Sequence, residues 1–159
     1  MKKLSILIPS FNYKKGLIRI LDSFKSCDKN DLKLVEIIIG DDSKEALISK
    51  SEINYYKSFI PDLKYVHNIE NLYINNWNNL ISLARGEFYW LFHHDEEIND
   101  PLNNLRNIII ELNTKNNLFI LPIYKYKTYK LFTYNLNIFQ LQTAQKNLIK
   151  NFIFNSKFF

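Results

Sequence analysis

A chain of 159 residues, 47% of them apolar and 15% aromatic, is long enough to bury one sizeable core and too short for two comfortable ones. Gly and Pro are scarce, at 3 and 4 residues, and 23% of positions are charged, which excludes collagen-like and disordered classes. The net charge of +5 is unevenly spread: residues 112–159 hold seven lysines and no Asp or Glu, so that stretch carries +7 and the remainder −2.

Residues 4–8, Leu-Ser-Ile-Leu-Ile, form a short apolar run closed by Pro9, which suits a buried strand. Leu17, Ile20, Leu21 and Phe24 then recur at helical spacing on one face. Cys27 is the only cysteine, so no internal disulfide forms; it reads as a small buried apolar side chain in a reducing compartment. Residues 34–39 read as a second strand ending at Gly40-Asp41-Asp42-Ser43, and a less regular helix is expected over 44–59, stopped by Pro61. Residues 63–67 read as a third strand. Trp77, Leu80, Ile81 and Ala84 mark another helix, with Gly86 where helices commonly end.

Residues 88–92 form a fourth, aromatic strand that runs into His93-His94-Asp95-Glu96-Glu97. Asp100-Pro101 is a good helix start, with Asp100 as N-cap, Pro101 at the first helical position, and Leu102, Leu105, Ile109 and Leu112 as the buried face. Residues 117–121 read as a fifth strand. Alternating strands and helices predict an α/β fold, a mostly parallel sheet flanked by helices. Beyond Pro122, Tyr124, Tyr126, Tyr129, Phe132 and Tyr134 suit a short hairpin, and Leu141, Ala144, Leu148 and Phe152 suit one face of a terminal helix. The expected division is a domain over residues 1–123 and a short basic aromatic extension over 124–159.

In open α/β sheets, ligands settle beyond the carboxyl ends of the strands. Three such ends carry polar residues here: Pro9-Ser10-Phe11-Asn12, Asp41-Asp42-Ser43, and His93-His94-Asp95-Glu96-Glu97. Each has a plain structural alternative, because strand-to-helix turns favour Asp and Ser for capping. A zinc protease is excluded, since no His-Glu-x-x-His occurs. A receiver-type signalling domain wants its acidic pair after the first strand, where this chain has Pro9-Ser10.

The runs Ser5-Ile6-Leu7-Ile8-Pro9-Ser10-Phe11-Asn12, Glu36-Ile37-Ile38-Ile39-Gly40-Asp41-Asp42-Ser43 and Ala84-Arg85-Gly86-Glu87-Phe88, the last leading to His93-His94-Asp95-Glu96, resemble the successive motifs of family 2 glycosyltransferases. Glu70-Asn71-Leu72 and Asn76-Trp77-Asn78 resemble that family's linker and helix before the metal motif. Four motifs in order across residues 4–100 make this a specific likeness. The resemblance implies a Rossmann-like nucleotide-diphospho-sugar transferase fold, truncated in its acceptor-binding half.

It also implies a nucleotide-diphosphate sugar donor, a UDP-sugar being favoured, and a divalent cation, Mn²⁺ or Mg²⁺, between protein and diphosphate. By position, Asp95 is the metal-binding carboxylate. Asp42 matches the aspartate that hydrogen-bonds the nucleobase, Asp41 supports the turn beside it, and Pro9, Ser10, Phe11 and Asn12 match the loop along the nucleoside. His93 and His94 stand where many relatives have aspartates. Imidazole is a poor Mg²⁺ ligand, so the pair leans toward Mn²⁺, with His94 also placed to meet a phosphate.

Inverting transfer needs a carboxylate to take the acceptor's proton. The family carries it downstream, where this chain has no Asp or Glu. Either the chain binds donor without turning it over, or a partner supplies the base, or Glu96, Glu97 or Asp100 substitutes. The expected acceptor is a glycan or lipid-linked sugar. The expected location is cytoplasmic, with peripheral membrane contact through the lysine-rich tail and no nucleic-acid partner. A non-catalytic nucleotide-sugar-binding or interaction domain is the competing reading.

Overall fold

The computed structural model describes residues 2–96, 100–114, 118–125 and 128–135, with side chains as far as 113; the expected terminal helix, Tyr126 and Glu97 lie outside them. The chain falls into two compact units, Met1–Ile110 and Glu111–Phe159.

The first unit is built on four parallel strands, β1 (Leu4–Ser10), β2 (Val35–Asp41), β3 (Leu63–His67) and β4 (Phe88–Leu91), in the order β3-β2-β1-β4. Every residue of β2 is buried, and Leu4, Ile6, Leu7 and Ile8 of β1 are buried too. Continuous rather than alternating apolar runs are what a sheet covered on both faces requires. Each fully buried Ile or Leu contributes about 1.5–3 kcal/mol relative to exposure. Strand order reverses at β1: the chain adds β2 and β3 on one side, then returns to add β4 on the other.

Between the strands run α1 (Lys14–Ser23), α2 (Lys29–Lys33), α3 (Lys50–Lys57) and α4 (Asn75–Leu83), and α5 (Pro101–Thr114) follows β4. The helix α1 buries Leu17, Ile20 and Leu21 as its spacing predicts, while Phe24, also buried, lies in a 3-10 turn over Phe24–Ser26. The short α2 was not legible as a period; it is started by Asp28, whose carboxylate accepts the Asn30 N–H at 2.7 Å. Cys27 is buried beside it, and burial, then the charge of Asp31, push its thiol up to about 11, so it stays protonated.

The helix expected over 44–59 is shorter. The Asp41 carboxylate accepts the N–H groups of Ser43 and Leu47, at 2.9 and 2.8 Å, which holds the segment before Ser49 in a non-helical loop. Ser49 and Glu52 then form a capping box at the start of α3. Gly86 does not end α4 in a left-handed conformation, as no glycine has positive φ; its N–H instead donates to Ser5 Oγ at 2.8 Å. In α5, Leu105, Ile109 and Leu112 are buried, but Leu102 is exposed, because it stands in the first turn. Asp100 precedes Pro101 with φ 43°, and its carbonyl accepts the Asn104 N–H at 3.0 Å.

The second unit contains a hairpin of β5 (Leu118–Lys125) and β6 (Thr128–Asn135), antiparallel from Leu118↔Asn135 to Lys125↔Thr128. The expected fifth strand is therefore paired with its sequence neighbour and not with the parallel sheet. Two such runs separated by two residues close at little entropic cost, which favours local pairing.

At the amino edge of the parallel sheet, Glu36 is buried at 2% exposure and fully engaged. One oxygen accepts from Ser5 Oγ at 2.7 Å, from the Arg85 N–H and from the Gly86 N–H at 3.1 Å; the other accepts from Arg85 Nε at 3.0 Å. Burial opposes ionisation of Glu36, but the Ser5 hydroxyl and the Arg85 donors outweigh it and hold the carboxyl below its ordinary 4.5. A lowered folded-state pKa gives stabilisation that is complete above about 4.5 and is lost as pH falls from there through the folded value. Glu36→Ala should cost about 2–4 kcal/mol at neutral pH, since several donors lose their acceptor together. Urea denaturation should show that the gap between variant and wild type narrows at about pH 3; an equal gap at both pH values would contradict the assignment.

Candidate functional site

Because the four strands run in one direction, the loops leaving β1, β2, β3 and β4 share the carboxyl edge of the sheet. Register aligns Ser10 with Asp41 and Asp41 with His67, so three strands end level. β4 ends lower, with Leu91 beside Leu7, and Phe92 extends it by donating its N–H to the Leu7 carbonyl at 2.9 Å.

The loops after β1 and β2 are stitched together. Asp42 N–H donates to the Ser10 carbonyl at 2.9 Å, and Asn12 N–H donates to Ser43 Oγ at 2.8 Å. Asn12 sits at φ 51°, a left-handed turn that Asn tolerates better than most residues. Pro9 and Ser10 finish β1, Ser10 being 2% exposed, while the Phe11 ring is 48% exposed at the rim.

The two aspartates after β2 have different duties. Asp41 is wholly buried, and besides Ser43 and Leu47 it accepts from the Tyr65 hydroxyl, which burial and this carboxylate push well above the usual tyrosine range. Asp42 is 6% exposed and accepts from Asn68 Nδ2 through Oδ1 at 2.7 Å. Asn68 Nδ2 also lies 3.4 Å from Asn76 Oδ1, and Asn76 Nδ2 donates to the Gly40 carbonyl at 2.8 Å. A polar relay from the backbone of β2, through α4 and the loop after β3, thus fixes Asp42. Sequence reasoning missed Asn68, Asn76 and Tyr65. Asn76 is 1% exposed on a helix face where the apolar period gives no hint of a buried amide.

After β4 the chain makes a tight turn. His93 N–H donates to Glu96 Oε2 at 2.8 Å, and Glu96 N–H returns to the His93 carbonyl at 3.1 Å. The His93 ring meets the Trp77 indole edge-on with centroids 5.2 Å apart, and the His94 ring lies 5.5 Å from Tyr13. Asp95 is exposed. Glu96 is exposed as a residue, yet desolvation of its carboxyl raises it above the ordinary range, with Asp95 adding to the shift and His93 opposing it.

Among the described residues, two buried side-chain polar atoms lack a protein partner: Ser10 Oγ and His94 Nδ1. Both lie at this edge, Ser10 at the last position of β1 and His94 in the turn after the adjacent strand β4. Nearly all buried polar groups in folded proteins are hydrogen-bonded, so an orphaned pair asks for a polar ligand or water.

Among the described residues, no three His, Cys, Asp or Glu side chains form a protein-only metal cage. A hard divalent cation bound through one carboxylate and the oxygens of a phosphate ligand needs no such cage, and the exposed Asp95 on the turn beside the orphaned His94 nitrogen fits that mode.

The glycosyl transferase family 2 model matches residues 5–158. Among solved structures, the chain is similar to S. aureus TarS 1-349, with a TM-score of 0.62 at 22% identity over 78% of this chain and 36% of that one. TarS 1-349 in complex with UDP-GlcNAc gives a TM-score of 0.60 at 22% identity, over 78% of this chain and 34% of that one. The mannosyltransferase PcManGT from Pyrobaculum calidifontis, in complex with GDP-Man and Mn²⁺, gives 0.61 at 17% identity, over 78% of this chain and 36% of that one. At these identities the likeness shows the fold, and the matched part amounts to 34–36% of those chains. No curated protein matches in sequence.

Gly40 is where the relay is most exposed to a test. A Cβ there would collide with Asn76 Oδ1. Gly40→Ala should therefore destabilise the fold by about 1–3 kcal/mol, and adding Asn76→Ala should recover part of that loss, a coupling that chemical denaturation of the two single variants and the double variant would measure. Strict additivity would show that the two positions do not press on each other.

Proposed function

The chain belongs to glycosyl transferase family 2, and from that premise we propose that its carboxyl edge binds a nucleotide-diphosphate sugar, UDP-linked by preference, for transfer to a glycan or lipid-linked acceptor. The observation that carries this reading is the pair of unpartnered buried atoms, Ser10 Oγ and His94 Nδ1. They lie at the carboxyl ends of β1 and β4, where strand order reverses, the place where open α/β sheets receive nucleotides. Leaving such groups unpaired costs about 1–3 kcal/mol each, which a polar ligand offsets. The complexes of TarS with UDP-GlcNAc and of the mannosyltransferase with GDP-Man and Mn²⁺ support the ligand class.

In this reading Pro9, Ser10, Phe11 and Asn12 lie along the nucleoside, with the exposed Phe11 ring offered to the base. Asp42, held as an acceptor by Asn68, takes an N–H from the base edge, a donor that uracil presents between two carbonyls. Asp41 supports the turn. His94 donates to a phosphate oxygen, and Asp95 holds a divalent cation, Mn²⁺ in preference to Mg²⁺. When bound, that cation supplies neutralisation of diphosphate charge.

Transfer with inversion forms a bond from the acceptor oxygen to the anomeric carbon, opposite the leaving group. The bond from that carbon to the diphosphate oxygen breaks with its electron pair, and the hydroxyl proton passes to a carboxylate. Residues 112–159 contain no Asp or Glu to act as that carboxylate; the second reading is a nucleotide-sugar-binding domain without turnover. Among the described residues no helix is long and apolar enough to cross a membrane; the seven lysines after residue 111 support contact with an anionic lipid surface.

Thermal melting with Mn²⁺ and a panel of nucleoside diphosphates tests the binding claim. At one hundred times Kd a bound nucleotide adds about 2.7 kcal/mol, so UDP with Mn²⁺ should raise the melting temperature clearly, and Asp95→Ala should abolish the metal-dependent part. No shift with any nucleotide, together with an indifferent Asp95→Ala, would sink it. Release of nucleoside diphosphate from a UDP-sugar above background would decide for the transferase over the binding domain.

A further inference from the structure

The turn that carries Asp95 is seated on α1 by contacts that no motif announces. Tyr13, which precedes α1, and Gly16 and Arg19 within it follow one another at intervals of three residues. The Tyr13 ring lies against the His94 ring at 5.5 Å. Gly16 lets the backbone in: a Cβ at that position would collide with both the His94 carbonyl oxygen and the Tyr13 ring. Arg19 Nη2 donates to the Asp95 carbonyl at 2.9 Å and reaches the Glu96 carbonyl at 3.5 Å. Residues 94, 95 and 96 of the turn are thus met by the residue before α1 and two residues of its first two turns: Tyr13 and Gly16 at His94, Arg19 at Asp95 and Glu96.

We propose that Arg19 is a positioning residue for the cation site: by holding the backbone carbonyls of Asp95 and Glu96, it fixes the direction of the Asp95 carboxylate. The need for such a clamp follows from the turn itself. Within 93–96, the internal ties are the two hydrogen bonds between His93 and Glu96, and Asp95 is exposed between them. Among the described residues no group of three His, Cys, Asp or Glu side chains gathers around Asp95, so the precision of its carboxylate depends on the backbone that carries it. Arg19 suits the task because a guanidinium has several fixed donors and can bond two adjacent carbonyls from one nitrogen, whereas an ammonium offers a point charge on a flexible stem. This inference rests on the cation role of Asp95 proposed above.

The test uses the whole chain with Arg19→Ala and Arg19→Lys, and Lys14→Ala as a control, since Lys14 lies on the same helix but pairs with Glu52 at 2.8 Å. Arg19 is exposed, so its replacement leaves the core intact. In the metal-free chain, amide exchange at His93 and Glu96, both bonded within the turn, should speed up about ten-fold or more in Arg19→Ala and not in Lys14→Ala. Unchanged exchange overturns the clamp, whatever the metal does. In the second arm, the Mn²⁺ concentration giving half-maximal UDP binding should rise about ten-fold in Arg19→Ala, with Arg19→Lys between it and wild type, while metal-free UDP affinity stays within about two-fold. An unmoved Mn²⁺ midpoint with a working wild type overturns the positioning role. A wild-type chain that binds UDP without regard to Mn²⁺ overturns the cation reading itself, and the exchange result then stands apart as a structural fact.

Discussion

Strand direction is the constraint on which the rest of this molecule depends. β1 pairs in parallel with β2 on one side and β4 on the other, so each connection must carry the chain back across the sheet before the next strand begins. Three polar loops separated by dozens of residues are thereby delivered to one edge. Continuous burial of β2 and near-continuous burial of β1 make slippage costly, because the covered sheet leaves no solvent face to receive a displaced isoleucine.

The two edges of the sheet then diverge in character. At the amino edge Ser5, Glu36, Arg85 and Gly86 satisfy one another, and Arg85 reaches on to Asp62 at 2.7 Å, itself 3.0 Å from Lys2. At the carboxyl edge the polar groups are equally buried but incompletely paired: Asp41 is spent on its turn, whereas Ser10 Oγ and His94 Nδ1 have no protein partner. The contrast between a completed network around one buried carboxylate and an unpaired hydroxyl and imidazole at the other edge is the observation on which the proposed ligand site rests.

Much of this could be read from the chain. The short, mostly apolar runs that became β1, β2, β3 and β4 stood out from their surroundings, and the face of α1 followed from its spacing. What escaped was set by contacts distant in sequence. Residues 44–49 have helical composition, but the Asp41 side chain takes N–H groups a helix would use, and nothing local signals that competition. The strand expected at 117–121 had the right composition but pairs with β6, two residues further on, in a local hairpin whose short closure costs little entropy. At the site, Asp42 and Asp95 were legible as residues at strand ends. The amides that hold the first and the helix that seats the second were not, since Asn68, Gly16 and Arg19 belong to no local pattern, the motif around Asn76 did not announce its bond to Gly40, and all four meet their partners only after the sheet has formed.

The edge-on contact between Trp77 and His93 has a practical corollary. Indole emission in the near ultraviolet responds to what lies against the ring. Emission from Trp77 will therefore change when the turn that carries His93 moves away from it. The other tryptophan, Trp90, lies within β4 with its ring 5.3 Å from Phe92 and supplies a comparatively steady background. The molecule carries an optical gauge beside the loop of greatest interest, readable without attaching any dye.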